Sequence, residues 1–525
     1  MRPPSRNRAR TRAIVREPSP RTIVTGSIHT LGDAGVVEAI GIAGGTVAQV
    51  GTLADVRAAS PSGTPIIEAG LVVPAFVDSH IHALWLGRAR SRVTLRGSPD
   101  IPHALARLRA AAQSLAPGEW LLGDAEIDGA ELAEGRLPTI DELDEAALGH
   151  PLLLDRRSHD ALANRAALAA AGALDRSENA TAVGDPTDGR IERDSTGRPT
   201  GLLIERAAVA IVERVVPPPG EASLRRWIRE AHQALRSVGT TTAADPALSP
   251  VEIAAYVAAA ADGLSVRSVL FPLGGNGIDP RRLHADAEST GIAACDPRTL
   301  RLGAVKLFLD GGGSLGTALR HEPWPSTELA GIQSTETETL IEYLEWSKST
   351  GQPLAVHAVG PRAVELLVQT AAFVSDTWPL GQLHLIHAYL EQDDAVMRRA
   401  AGLGIAAAIQ PALHRAVRGA VKRRIGRVAA DGLGDVRRWL DSGALVGGGS
   451  DAPGPDHDPL PYIAELVPLI GAERALRLFT ADAARLIGSP TGRLVIGAPA
   501  DILELELAHI EELASGTAMR LLAGP

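Results

Sequence analysis

Two histidines two residues apart, His80 and His82, end the apolar run AFVDSHIH, a spacing that in a strand sends both imidazoles to one face. Neutral imidazoles placed this way can share one divalent cation. Among 15 histidines such a pair arises readily by chance, so its weight comes from what accompanies it. His357 ends PLAVHA, His387 ends LHLIHA and Asp451 ends ALVGGGSD, which puts three further donors at the ends of apolar runs. Taken singly, either histidine reads equally as a hydrogen-bonded core residue, and Asp451 as a helix cap. Lys306 lies inside GAVKLFLD, where an unpaired ammonium is costly. Two solutions are open: an ion pair with Asp310, or carboxylation by CO₂ to a group able to bridge two cations. Cys295 is the only cysteine, so a metal here is held by His, Asp, Glu or Lys.

Convergence of these donors requires a scaffold that brings strand ends to one rim. Eight apolar runs alternate with helical patterns: AFVDSHIH, GTTTAA, VRSVLF, GAVKLFLD, PLAVHA, LHLIHA, GIAAAIQ and ALVGGGSD. The intervening helices are amphipathic, as in Leu224, Trp227, Ile228, Ala231 and Leu235. This pattern predicts an α/β fold, a TIM-type (β/α)₈ barrel over 75–489, with chemistry at the C-terminal ends of its strands. PLLLDRR is a ninth run and is assigned to an insertion at about 85–217 that caps the barrel mouth. Residues 22–74 read as short strands between Gly-rich turns, and GRLVIGAPADILELE within 490–525 reads the same way. Both chain ends are therefore expected to share one accessory β domain.

Residues 1–21 carry seven arginines against one acid and lack the apolar stretch of a secretory signal, so they are expected to be a disordered basic tail. The net charge of -10 argues against nucleic acid as a partner. With no apolar run of membrane-spanning length, a cytoplasmic protein without membrane contact is expected. A homodimer is the default assembly.

The segments DSHIH, VKLFLDGGGSLGTALRHEPW, LAVHAVGPRAV, HLIHAYL, AIQP, GSDAP, LFTADAARLIGS and GRLVIGAPADILELE resemble the amidohydrolase superfamily. The match is to its amidohydrolase-3 group, which includes N-substituted formamide deformylase. The resemblance covers nearly all of the chain after the tail. It implies a metal-holding barrel beside a β-sandwich built from both chain ends. It also implies one or two divalent ions, Zn²⁺ first and Fe²⁺ or Mn²⁺ as alternatives, held by His80, His82, N6-carboxylated Lys306, His357, His387 and Asp451. Asp451 would also be the catalytic proton-transfer group. RRSHDALANRAAL resembles a family stretch that makes His159 a substrate contact. Three departures stand out: Ala75 replaces a usual glycine, Pro361 a usual aspartate and Ile386 a common glutamate. Pro361 removes an acceptor, so His357 needs another orienting group.

A coordinated divalent cation lowers the pKa of water from about 15.7 towards about 7 and polarises a carbonyl, which predicts hydrolysis of a non-peptide amide or formamide C–N bond. Asp451 would take the proton and pass it to the leaving nitrogen. A ring deaminase using one metal and an unmodified Lys306 is the alternative, and a catalytically inactive scaffold is a third reading. DGGGSLG lacks the Gly-Lys-Ser/Thr ending of a phosphate loop. Its Gly312 and Gly313 are read instead as backbone over the barrel mouth that substrate approaches closely.

Overall fold

The computed structural model describes residues 21–525 except 126, 128, 130–131, 157–159, 175–189, 205, 315, 326–327, 392 and 515. His159 and nearly all of the basic tail thus lie outside the described residues. Packing divides the chain into two units, residues up to Leu86 together with Ala231–Pro525, and Gly87–Glu230. Among the described residues no helix is long and apolar enough to cross a membrane.

In the first unit, Phe76–Asp78, Thr240–Leu248, Arg267–Pro272 and Leu300–Leu302 pair in parallel. Val305–Phe308, Leu354–Ala358, Leu383–His387, Ala406–Ile409 and Val446–Gly448 form a second parallel sheet. Within GAVKLFLD the strand runs from Val305 to Phe308, while Gly303 N donates to Leu270 O at 2.8 Å and continues the ladder of Leu300–Leu302. The two sheets also meet at two points. Leu273 bridges Lys306 in parallel, and Ser79 N donates to Gly448 O at 3.0 Å.

Helices follow the strands for identifiable local reasons. Pro250–Ala261 opens with a capping box between Ser249 and Glu252 and a proline in its first turn. Asp394–Leu403 is capped by Asp393 and stopped by Gly404 at φ 86°. The strands are buried on both faces, as parallel strands under helices must be. Leu354 and Val356 pack with the helical Leu340, Leu344 and Leu367, whereas Ala355 packs with Val77, Val269, Ile386 and Ala408 on the opposite face.

Both chain ends enter one mixed six-stranded sheet in the order Met519–Ala523, Ile502–Leu505, Ile66–Pro74, Thr22–His29, Val36–Ala43, Thr46–Gly51. Pairing runs continuously through these six strands, with Ile502–Leu505 antiparallel to Ile66–Pro74, and Thr46 in the far strand bridges Pro499. In the second unit, PLLLDRR supplies Leu152–Arg156, an inner strand of a separate six-stranded sheet.

Candidate metal centre

Strand parity explains how some donors reach a common point and shows where parity fails. Val305 and Leu307 pack toward the helices, so Lys306 between them points to the opposite face, completely buried. His357 shares the face of Ala355 by the same rule. Register then sets Phe308 beside His357 and Ala358 beside His387. His387 breaks the rule. Leu383 and Leu385 pack toward the helices, and strict alternation would send His387 with them. Instead His387 sits at φ 77°, in the left-handed region, and its ring lies 4.6 Å from that of His357 and 5.3 Å from that of His80. Asp451 takes φ 59°. Such conformations cost non-glycine residues about 1–3 kcal/mol and persist where surrounding structure enforces them.

His80 and His82 lie beyond the strand, which stops at Asp78, so strand alternation does not aim them. Asp78 holds the backbone of His80, and His82 N donates to Ala452 O at 3.1 Å. The buried Asp78 carboxylate accepts from His80 N at 3.0 Å and from Ser450 N at 3.1 Å, joining the first strand's exit to the last strand's exit. Asp451 N donates to His80 O at 2.9 Å. As a result, Asp451 Oδ1 lies 3.4 Å from His80 Nε2 and 3.5 Å from His82 Nε2. Trp85, on the helix that follows, stacks on His82 at 4.2 Å.

Hydrogen bonds leave specific nitrogens available. Gln410 Nε2 donates to Ala408 O at 3.1 Å, which turns its Oε1 toward His387 Nδ1 at 2.9 Å. His387 therefore carries its proton on Nδ1 and presents the Nε2 lone pair. His357 Nε2 donates to Gly311 O at 3.3 Å, and its Nδ1 is buried with no partner. The Gly311 carbonyl thus takes the orienting task that Pro361 cannot perform. Both nitrogens of His80 and the Nζ of Lys306 are likewise buried without hydrogen-bond partners among the described residues.

The ion pair of Lys306 with Asp310 is not formed. Asp310 accepts instead from Leu319 N, Val359 N and Gly360 N, all at 2.9 Å, and Lys306 Nζ lies 4.8 Å over the Phe308 ring. Three backbone N–H groups satisfy the carboxylate and tie down the loop after His357, a role that sequence does not announce. Burial pushes Lys306 down to about 7, partly offset by Asp451. Burial raises Asp451, against the pull of His82 and Lys306. His82 falls to about 4 and His357 to about 3, both chiefly by burial, and His80 and His387 fall well below the usual imidazole value. The imidazoles are therefore neutral at pH 7, the state in which they bind metal. His80, His387 and Asp451 each bring a ligand atom within 4.8 Å of the others. Orphaned buried nitrogens beside a carboxylate fit a divalent cation.

Of the two glycines read as substrate-facing, Gly312 donates its N–H to Thr317 Oγ1 at 3.0 Å and Gly313 donates to the Tyr389 hydroxyl at 3.2 Å. Both amides are engaged within the protein.

The family model described as Amidohydrolase family matches residues 68–518. The chain belongs to the amidohydrolase family. It is a hydrolase of that family, 26% identical over 505 residues to the N-substituted formamide deformylase of Arthrobacter pascens, covering 89% of this chain and 90% of that protein. YtcJ of Bacillus subtilis (strain 168) is 29% identical over 414 residues, 75% of this chain and 72% of its own. Among solved structures, an uncharacterized metal-dependent hydrolase from Pyrococcus furiosus aligns at TM-score 0.74 and 25% identity, over 92% of this chain and 98% of that one.

Proposed function

We propose that this amidohydrolase-family chain is a metal-dependent hydrolase of a non-peptide C–N bond, an amide or formamide. Its metal centre is assigned to His80, His82, Lys306, His357, His387 and Asp451. The observation that carries this is the meeting of His80, His387 and Asp451 ligand atoms within 4.8 Å, beside a fully buried Lys306 amine without a hydrogen-bond partner among the described residues. The bridge from Leu273 to Lys306 and the bond from Ser79 to Gly448 support reading the two parallel sheets as one closed (β/α)₈ barrel. All these donors then lie at its C-terminal rim.

When bound, a divalent cation, Zn²⁺ first among candidates, supplies an activated water and polarises the scissile carbonyl. The protein supplies the rest. Neutral His80, His82, His357 and His387 donate lone pairs. Asp451, within 3.5 Å of two imidazoles, is placed to accept the water's proton at Oδ1 and deliver it to the leaving nitrogen. Lys306, with burial already favouring its neutral amine, is suited to carboxylation, which converts it into an anionic ligand.

The test pairs metal analysis with a screen of N-formyl, N-acyl and cyclic amides. Bound metal, turnover of one of these classes, loss on chelation and recovery with Zn²⁺ are expected. Full metal occupancy with turnover only of exocyclic ring amines would replace this reading with the deaminase. The compact His80, His387 and Asp451 group, enough for one ion, is the feature favouring that alternative. Labelled bicarbonate should yield a carbamate resonance that Lys306→Met abolishes.

A further inference from the structure

The second unit contains a cavity of about 680 Å³ to which no residue of the metal centre contributes. That volume falls within the roughly 300–1,000 Å³ typical of small-molecule sites. Its walls combine aromatic surface with positive charge. Trp120 and Trp227 line it, both partly buried. Arg88, Arg90, Arg92 and Arg226 line it as well, against the acids Glu119 and Glu230, so cations outnumber anions two to one in a chain that is acidic overall.

Local packing builds this arrangement. A Cβ at Gly87 would lie 1.8 Å from the carbonyl oxygen of Trp227, so only glycine lets the Ala83–Ser91 helix approach the Glu221–Ser237 helix this closely. The contact brings the Arg88 guanidinium 5.7 Å from the centre of the Trp227 ring. Glu119 is already engaged, accepting from Ala116 N at 3.0 Å and from the Ser223 hydroxyl at 3.4 Å. Arg92 is not saturated. Its terminal NH1 lies 3.9 Å from Asp124, beyond hydrogen-bond distance, and its Nε is buried without a hydrogen-bond partner among the described residues.

We infer that this cavity is a second ligand site, for an organic carboxylate with an aromatic body. Guanidinium groups match a carboxylate through paired N–H donors, and the indole faces offer a planar body an apolar wall. An apolar neutral molecule would leave the buried Arg92 Nε without an acceptor. A small inorganic anion would leave the indole surface unused.

Calorimetric titration of the metal-loaded full-length protein with naphthoate, and separately with the neutral naphthalenemethanol, tests the assignment. Naphthoate is expected to bind at least about tenfold more tightly than the alcohol. Its binding should survive chelation of the metal, and Arg92→Gln and Arg226→Gln should each weaken it severalfold. Arg226 is a partly exposed helix residue, so its variant keeps the test readable if Arg92→Gln does not fold. Equal binding of acid and alcohol, binding unchanged in the folded variants, binding lost with the metal, or no heat at millimolar naphthoate would each overturn it.

Discussion

Gln410 Oε1 accepts from His387 Nδ1 at 2.9 Å, and this bond selects which nitrogen of His387 faces the metal centre. Outer partners of this kind hold a ligand's tautomer and ring angle, and their loss typically weakens metal binding about 10–100-fold. Gln410→Ala is expected to weaken Zn²⁺ affinity by that order, with Gln410→Glu recovering much of it. Competition with a chromophoric chelator measures both, and unchanged affinity in the alanine variant would remove Gln410 from the centre.

Asp78 binds two chain segments far apart in sequence through His80 N and Ser450 N, both of which meet its Oδ1. Asp78→Ala leaves two buried N–H groups unsatisfied, at about 1–3 kcal/mol each. Asp78→Asn keeps one carbonyl oxygen where Oδ1 stood. Thermal melts should therefore place the alanine variant well below the native protein and the asparagine variant between them. Equal melting of all three would show that the clamp contributes nothing.

Asp451→Asn retains shape and a ligand oxygen but cannot carry a proton. Turnover is expected to fall by at least about 10²-fold with metal content largely kept, in line with the loss of a general acid–base group. A decrease below tenfold would end the proton-transfer assignment.

His232 reports on stability independently of the metal centre. Burial holds its imidazole at about 3, with Ser268 Oγ at 3.3 Å as its neighbour. The unfolded chain takes up a proton near the ordinary value of about 6.5, whereas the folded protein does not until about 3. The neutral ring's contribution is therefore fully present above pH 6.5 and is lost as pH falls toward 3. His232→Gln should flatten the acid limb of the stability curve by close to one proton, about 1.4 kcal/mol per pH unit. Identical slopes in urea melts between pH 7 and 5 would show that His232 is not held neutral.

Lys306 and His357 show how far sequence alone reaches. Their places in apolar runs marked both as candidate ligands, whereas the face each occupies follows from the packing of the neighbouring strand residues. The alternation of runs and amphipathic helices likewise foretold the parallel strands, and the second run of turn-rich strands foretold that both chain ends would meet in one sheet. Composition placed the chain outside thiolate metal chemistry. These features are local, set by side-chain type and spacing.

Long-range contacts decided the remainder. Parity sends His387 the wrong way, and only the left-handed backbone at φ 77°, held by its neighbours, turns its ring back to His80 and His357. The Gly311 carbonyl orienting His357, the three amides satisfying Asp310, and the Asp78 clamp across 372 residues have no sequence signature. Each depends on two segments brought together by the packing of the whole first unit. PLLLDRR pairs with Leu121–Asp124 and Asp160–Ala163, within the second unit, and pairing is a property of the folded chain.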